Sequence, residues 1–270
     1  MNRKRSFYIL IPAMLIILSA LVLGGCKTEF THVGTTEELL EAIRPGARIF
    51  VEPGYYNLSE YIENVWEQEG MKWNDSHPYV KLEECYDGVE IVVENVDDLK
   101  IKGYEKNPWN TELVADPRYA AIFNFNKCSN VELSFMTMGH TEQAYCAGNV
   151  LNFWECKDIE LDNMDLYGCG VYGIGAYSGT EGLSVNRSII RDCSDGPFDI
   201  VEGRGDFVFR DCSLTGSDGG GYFDMSYDAK LSFYNCSFGW VETESWYYDE
   251  NIYKENCTWR EAALYPDLSH

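Results

Sequence analysis

Four aspartates in two recurring settings are the residues of this chain most able to do chemistry. Asp199 stands between Phe198 and Ile200, and Asp224 stands between Phe223 and Met225. Just upstream of each comes a Ser-Asp-Gly triplet, Ser194-Asp195-Gly196 and Ser217-Asp218-Gly219. An acid flanked by apolar residues in a strand points away from the core, because successive side chains alternate between faces. Two such carboxylates brought close repel unless a proton or a cation lies between them. Two chemistries follow. Asp195, Asp199, Asp218 and Asp224 could hold calcium, since hard cations collect carboxylate oxygens. Alternatively, Asp199 and Asp224 could act as a catalytic acid and base. The plainer reading is that Asp-Gly recurs in turns, where aspartate bonds its own backbone.

Other residues suggest binding. The run Trp246-Tyr247-Tyr248 cannot all face a core under a two-residue alternation, so at least one flat ring is expected outside as a glycan contact. Tyr167, Tyr172, Tyr177, Trp240 and Trp259 add further candidate platforms, although inward packing is their commoner role. His140 precedes Cys146 at close range, and a thiol nucleophile needs a neighbouring histidine. The simpler role for His140 is a corner residue able to touch a glycan. With no Cys-x-x-Cys pair and only four histidines, a zinc site is not expected.

A repeat must position all of these. Short alternating segments begin at Leu99, Val131, Ile159, Leu183, Phe207, Leu231 and Ile252, in steps of 32, 28, 24, 24, 24 and 21 residues. Five residues after the later starts stand Met136, Met164, Ser188, Cys212, Cys236 and Cys257. Two residues further come Met138, Leu166, Ile190, Leu214, Phe238 and Trp259. Cys128 and Cys156 each lie three residues before a start, and Cys169 and Cys193 each lie ten after one. A second strand precedes several starts, at Phe123-Asn124-Phe125, Leu151-Asn152-Phe153, Phe198-Asp199-Ile200 and Phe223-Asp224-Met225, with Gly175-Ala176-Tyr177 filling the slot weakly.

Repeats of this length built from strands stack as a solenoid, with equivalent slots about 4.8 Å apart. Cysteines in such columns serve as small apolar residues, and their parallel side chains suit disulfides poorly. Cys85 and Cys146 fall outside the columns, as a free thiol or a partner in a bridge. A leucine-rich repeat shares the 24-residue period. It is disfavoured because no helical segment and no leucine three residues before the start accompany it.

The entrance fits the same plan. Thr35-Thr36-Glu37-Glu38 is a capping box before Leu39, Leu40 and Ile43, predicting a helix over 36–44. Pro45-Gly46 ends it, and Arg48-Ile49-Phe50-Val51-Glu52-Pro53-Gly54-Tyr55-Tyr56 opens the first coil. Residues 58–80 break the period and read as an insertion. With these columns and this cap, the chain resembles the pectate-lyase-like superfamily over residues 33–265. That resemblance implies an all-β right-handed parallel β-helix with a short N-terminal capping helix, here a single domain over 35–270. It also implies glycan chemistry on one outer face. The superfamily's Trp-x-Asp-His, Arg-x-Pro-x-x-Arg, Gly-Asp-Asp and Gly-His-Gly signatures are missing, so no catalytic residue transfers.

The first 25 residues read as an export signal. Arg3, Lys4 and Arg5 precede an apolar run from Phe7 to Leu23, and Leu23-Gly24-Gly25-Cys26 resembles a bacterial lipobox. That motif implies lipidation at Cys26, a short tether over 26–34 and a place on the outer side of a cell membrane. The whole chain carries a net charge of −23, and loss of the three cations in the signal brings it to −26. Such a charge excludes nucleic acid as a partner and disfavours polyuronates unless calcium bridges the two. A 45% hydrophobic and 14% aromatic composition excludes disorder. The expectation is a lipid-anchored monomer that binds, and in one variant processes, extracellular carbohydrate or another envelope component. An adhesive solenoid contacting proteins, and a lyase or glycosidase with a nonstandard acidic site, are the alternatives.

Overall fold

The computed structural model describes residues 29–104, 106–141, 147–168, 171–216, 228–239 and 250–260. Each repeat folds into short strands joined by corners. The coil through residues 129–154 shows the plan: Ser129–Ser134 lies in a first sheet, Thr137–His140 in a second and Leu151–Trp154 in a third. The next coil then re-enters the first sheet at Lys157–Asp162. Stacking gives sheets of nine, eight and six strands among the described residues, parallel except at one edge of the third. The architecture is a right-handed parallel β-helix.

Sequence register became spatial register. Leu99, Val131, Ile159, Leu183, Phe207, Leu231 and Ile252 are successive partners across the first sheet. The column two residues on runs Ile101, Leu133, Leu161, Val185, Phe209 and Phe233, all buried, and ends on half-buried Lys254. Burial depresses the Lys254 ammonium from its usual range, which marks the fraying end of the core. In the second sheet Met138, Leu166, Ile190, Leu214, Phe238 and Trp259 form the matching column.

One left-handed residue turns each coil from the first sheet into the second. Phe135, Asn163, Arg187, Asp211, Asn235 and Asn256 have φ between 49° and 58°. Asparagine and aspartate fill four of these places because they tolerate this conformation best. The corner N–H bonds to the neighbouring coil, as from Asn163 to the Asn186 carbonyl at 3.0 Å and from Asp211 to that of Tyr234 at 2.9 Å.

The sulfur columns face inward. Cys128, Cys156, Cys212 and Cys236 are buried free thiols, each near a carbonyl of the preceding coil. Ser188 occupies the same column as Cys212 without penalty, since its hydroxyl donates to Asn186 at 2.7 Å and accepts from the Met164 N–H at 3.0 Å. Cys193 corrects the expectation that the columns stay reduced: it is disulfide-bonded, to a partner outside the described residues. Cys85 is a half-exposed free thiol, and Cys146 lies outside the described residues.

At the N-terminal end, helix α1 (Thr36–Ala42) buries Leu39 and Leu40 over the first coil. The Thr35 hydroxyl accepts from the Glu38 N–H at 3.2 Å, while Glu38 reaches one residue beyond the usual box, to the Gly34 N–H at 2.7 Å. Residues 58–80 contain helices α2 (Leu58–Glu69) and α3 (Met71–Ser76), with Trp73 buried. A hairpin follows, Val80–Glu84 running antiparallel to Val89–Glu94, and it closes the edge of the third sheet.

Candidate binding cleft over the third sheet

The outer face of the third sheet carries a cleft of about 560 Å3. Its floor is the outward column Asn124, Asn152, Gly175 and Asp199, which are consecutive partners across four strands. The slot expected at Gly175-Ala176-Tyr177 is therefore shifted by one residue. Ile174 and Ala176 point inward, and Gly175 takes the outward place.

Gly175 matters because it is empty space. A Cβ there would stand 2.4 Å from the Tyr177 ring, 2.6 Å from Asn149 Nδ2 and 2.6 Å from Asn152 Oδ1. Without it, the Tyr177 ring folds across the strand and its hydroxyl donates to Asp199 Oδ2 at 3.1 Å. Asn149 sits beside this contact as a branch point. Its Oδ1 accepts from the Tyr172 N–H at 3.0 Å, so its Nδ2 is the donor to both Tyr177 Oη and Asn152 Oδ1, each at 2.8 Å. Asn152 must then donate onward, from Nδ2 to Asn124 Oδ1 at 2.7 Å. The Asn124 amide in turn bonds the carboxylate of Glu90. One directed network thus crosses the sheet, its two arms starting at Asn149 and ending on Asp199 and Glu90.

Electrostatics follow from this wiring. Burial, then the charge of Asp199, pushes the Tyr177 phenol well above its usual range, so it stays a donor. Burial also raises the Glu90 carboxyl, opposed by the Ala121 N–H at 3.1 Å and the Asn124 amide. Glu83 faces Glu90 directly across the hairpin and raises it further. Aromatic walls complete the cleft. Trp154 is 40% exposed and lies 4.4 Å from the Tyr177 ring, and Tyr119 is 48% exposed.

The residues singled out in the sequence are spread unevenly around this site. Asp199, Tyr172 and Tyr177 line it. Asp195 is half-buried at a bend, where its N–H bonds the Val171 carbonyl at 3.0 Å. Asp218, Asp224, Trp240, Trp246, Tyr247, Tyr248 and Cys26 lie outside the described residues. Among the described residues no three or more acids, histidines or cysteines are grouped to hold a metal ion. His140 is not a surface contact as expected: it is 1% exposed, and its Nε2 bonds the Ala120 carbonyl at 2.8 Å. Tyr167 belongs to a separate cluster on the second sheet, stacked under Arg191, which clamps buried Asp165 at 2.9 and 3.0 Å.

Glu90, Asn149 and Trp154 were not anticipated. Alternation through Leu151-Asn152-Phe153-Trp154 does place Trp154 outward beside Asn152, so that signal was available. Glu90 precedes the first counted repeat, and Asn149 lies in no strand, so periodicity could not reach either.

No protein-family model matches the chain, and no curated protein matches it. Its structure is similar to that of a pectate lyase from Paenibacillus sp. 0602, with a TM-score of 0.51 and 11% identity. That match covers 78% of this chain and 60% of the lyase, so the chain spans less than two thirds of that enzyme. A protein provisionally named a glycosyl hydrolase, from Parabacteroides merdae ATCC 43184, is similar at a TM-score of 0.44 and 10% identity, over 77% of this chain and 96% of the other. At these identities the likeness to the lyase is one of fold.

Proposed function

We propose that the protein is a lipid-anchored cell-surface β-helix that binds carbohydrate in the cleft over its third sheet. The observation carrying this reading is the juxtaposition of exposed Trp154, packed on Tyr177, with the amide row Asn124–Asn152. A sugar ring presents an apolar face and a rim of hydroxyls, and a cleft with flat rings beside oriented polar groups complements both. The pectate-lyase-like fold is consistent with a glycan ligand.

The two carboxylates at the ends of the network do not by themselves form a glycosidase pair. Glu90 and Asp199 are four strands apart, about 19 Å at the usual strand spacing, whereas a glycosidase pair stands roughly 5–9.5 Å apart. Membrane attachment rests on the lipobox alone, and Cys26→Ala should abolish uptake of labelled fatty acid. Unchanged labelling would remove the anchor from the proposal. The cleft is tested by screening the detergent-solubilised full chain on a glycan array, with and without calcium. A defined set of glycans should be retained, and Trp154→Ala should lose them. Retention unaffected by Trp154→Ala would place binding elsewhere.

A further inference from the structure

The direction of the hydrogen bonds in the cleft restricts its ligand more than its shape does. Both Asn149 amide hydrogens are used, one toward Tyr177 and one toward Asn152. The Tyr177 hydroxyl proton is committed to Asp199, and an Asn152 amide proton is committed to Asn124. These donors point within the network, and its two ends are carboxylates, which only accept. Glu83 adds a third carboxylate, exposed on the cleft wall and opposite Glu90. No lysine or arginine lines the cleft among the described residues.

We infer that the ligand of this cleft is a glycan bearing free amines, a cationic amino-sugar polymer. Its ammonium groups would meet Asp199 at one end and the Glu83–Glu90 pair at the other, with a ring stacked on Trp154 between them. Ammonium offers three donors and no acceptor, the complement of carboxylates that only accept. A uronate would instead place like charge against all three carboxylates. This inference rests on the carbohydrate-binding reading of the same site and narrows its ligand class.

The experiment is calorimetry on the detergent-solubilised full chain at mildly acidic pH and low salt. The probes are a glucosamine oligosaccharide, its fully N-acetylated counterpart of equal length, and an oligogalacturonate with and without calcium. The amine form should bind about tenfold or more tightly than the N-acetylated form, and 0.5 M salt should erase most of that preference. In Glu83→Gln and in Asp199→Asn the ratio of the two affinities should fall by several fold. Glu83 is exposed and without a role in the network, so that variant tests charge with little risk to folding. Equal or tighter binding of the N-acetylated form overturns the inference and leaves the carbohydrate reading standing. Preferential binding of the galacturonate with calcium also overturns it. Binding of none of the three overturns the inference, and an empty glycan array besides overturns the carbohydrate reading.

Discussion

Gly175 is where a single atom bears most directly on the cleft. Its missing side chain leaves room for the Tyr177 ring, and through that ring Asn149 and Asp199 are held in place. Gly175→Ala should displace Tyr177, cost about 1–3 kcal/mol by overpacking and weaken glycan binding at the same time. Denaturant melts paired with calorimetry check this, and a fully stable variant with unaltered affinity would contradict the geometry. His140 gives a prediction in pH. Burial lowers its imidazole from the ordinary value of 6.5. The unfolded chain then takes up a proton that the folded chain refuses as pH falls below that value, so the histidine subtracts stability on acidification. Urea midpoints at pH 7.5 and 5.5 should fall further apart in the natural chain than in His140→Gln. Equal differences would show that the buried ring does not titrate on unfolding. Neither residue's part was readable in the sequence. A glycine opposite an asparagine one coil away has no local signal, and the Gly-His-Thr sequence around residue 140 reads equally well as an exposed corner.

At the level of elements the sequence was far more legible, because a solenoid turns linear period into vertical neighbours. The starts at Leu99 through Ile252 became one column of the first sheet, and the sulfur and methionine slots became another. The slot at residue 175 shifted because a glycine in the outward place removes the apolar-polar contrast by which alternation is recognised. The hairpin that supplies Glu83 and Glu90 escaped notice because its strands pair antiparallel, outside the repeat. The inward column makes a direct prediction. Cys236 is 1% exposed, with its Sγ 3.5 Å from the Phe209 carbonyl. Cys236→Ala should cost roughly 1–3 kcal/mol by leaving a small cavity, and Cys236→Asp several kcal/mol by burying an unpaired carboxylate. Denaturant unfolding distinguishes them, and an Asp variant as stable as the Ala variant would mean that the slot is wet.

Across the whole molecule, charge is the dominant property. A formal charge of −23 means that the folded chain repels itself. Among the described residues some acids are offset by ion pairs, such as Asp98 by Arg48 and Asp165 by Arg191. Raising sodium chloride from 10 to 150 mM shortens the screening length from about 30 to about 8 Å. The melting temperature should rise accordingly, and a fall would show that short-range pairs outweigh the overall repulsion. The same field draws cationic ligands toward the cleft and slows anionic ones. The fold and the acidic charge were both evident in the linear sequence. The place where they meet depends on which outward residues converge, and only the folded coils bring those together.

The most direct test is a crystal structure of the chain with an oligosaccharide that it binds in solution. Sugar rings are expected over the third sheet, between Asp199 and Glu90, stacked on Trp154 and with the amides of Asn124 and Asn152 beneath them. A ligand seated on the first or second sheet, or at the α1 end, with the third-sheet cleft empty, would contradict that placement.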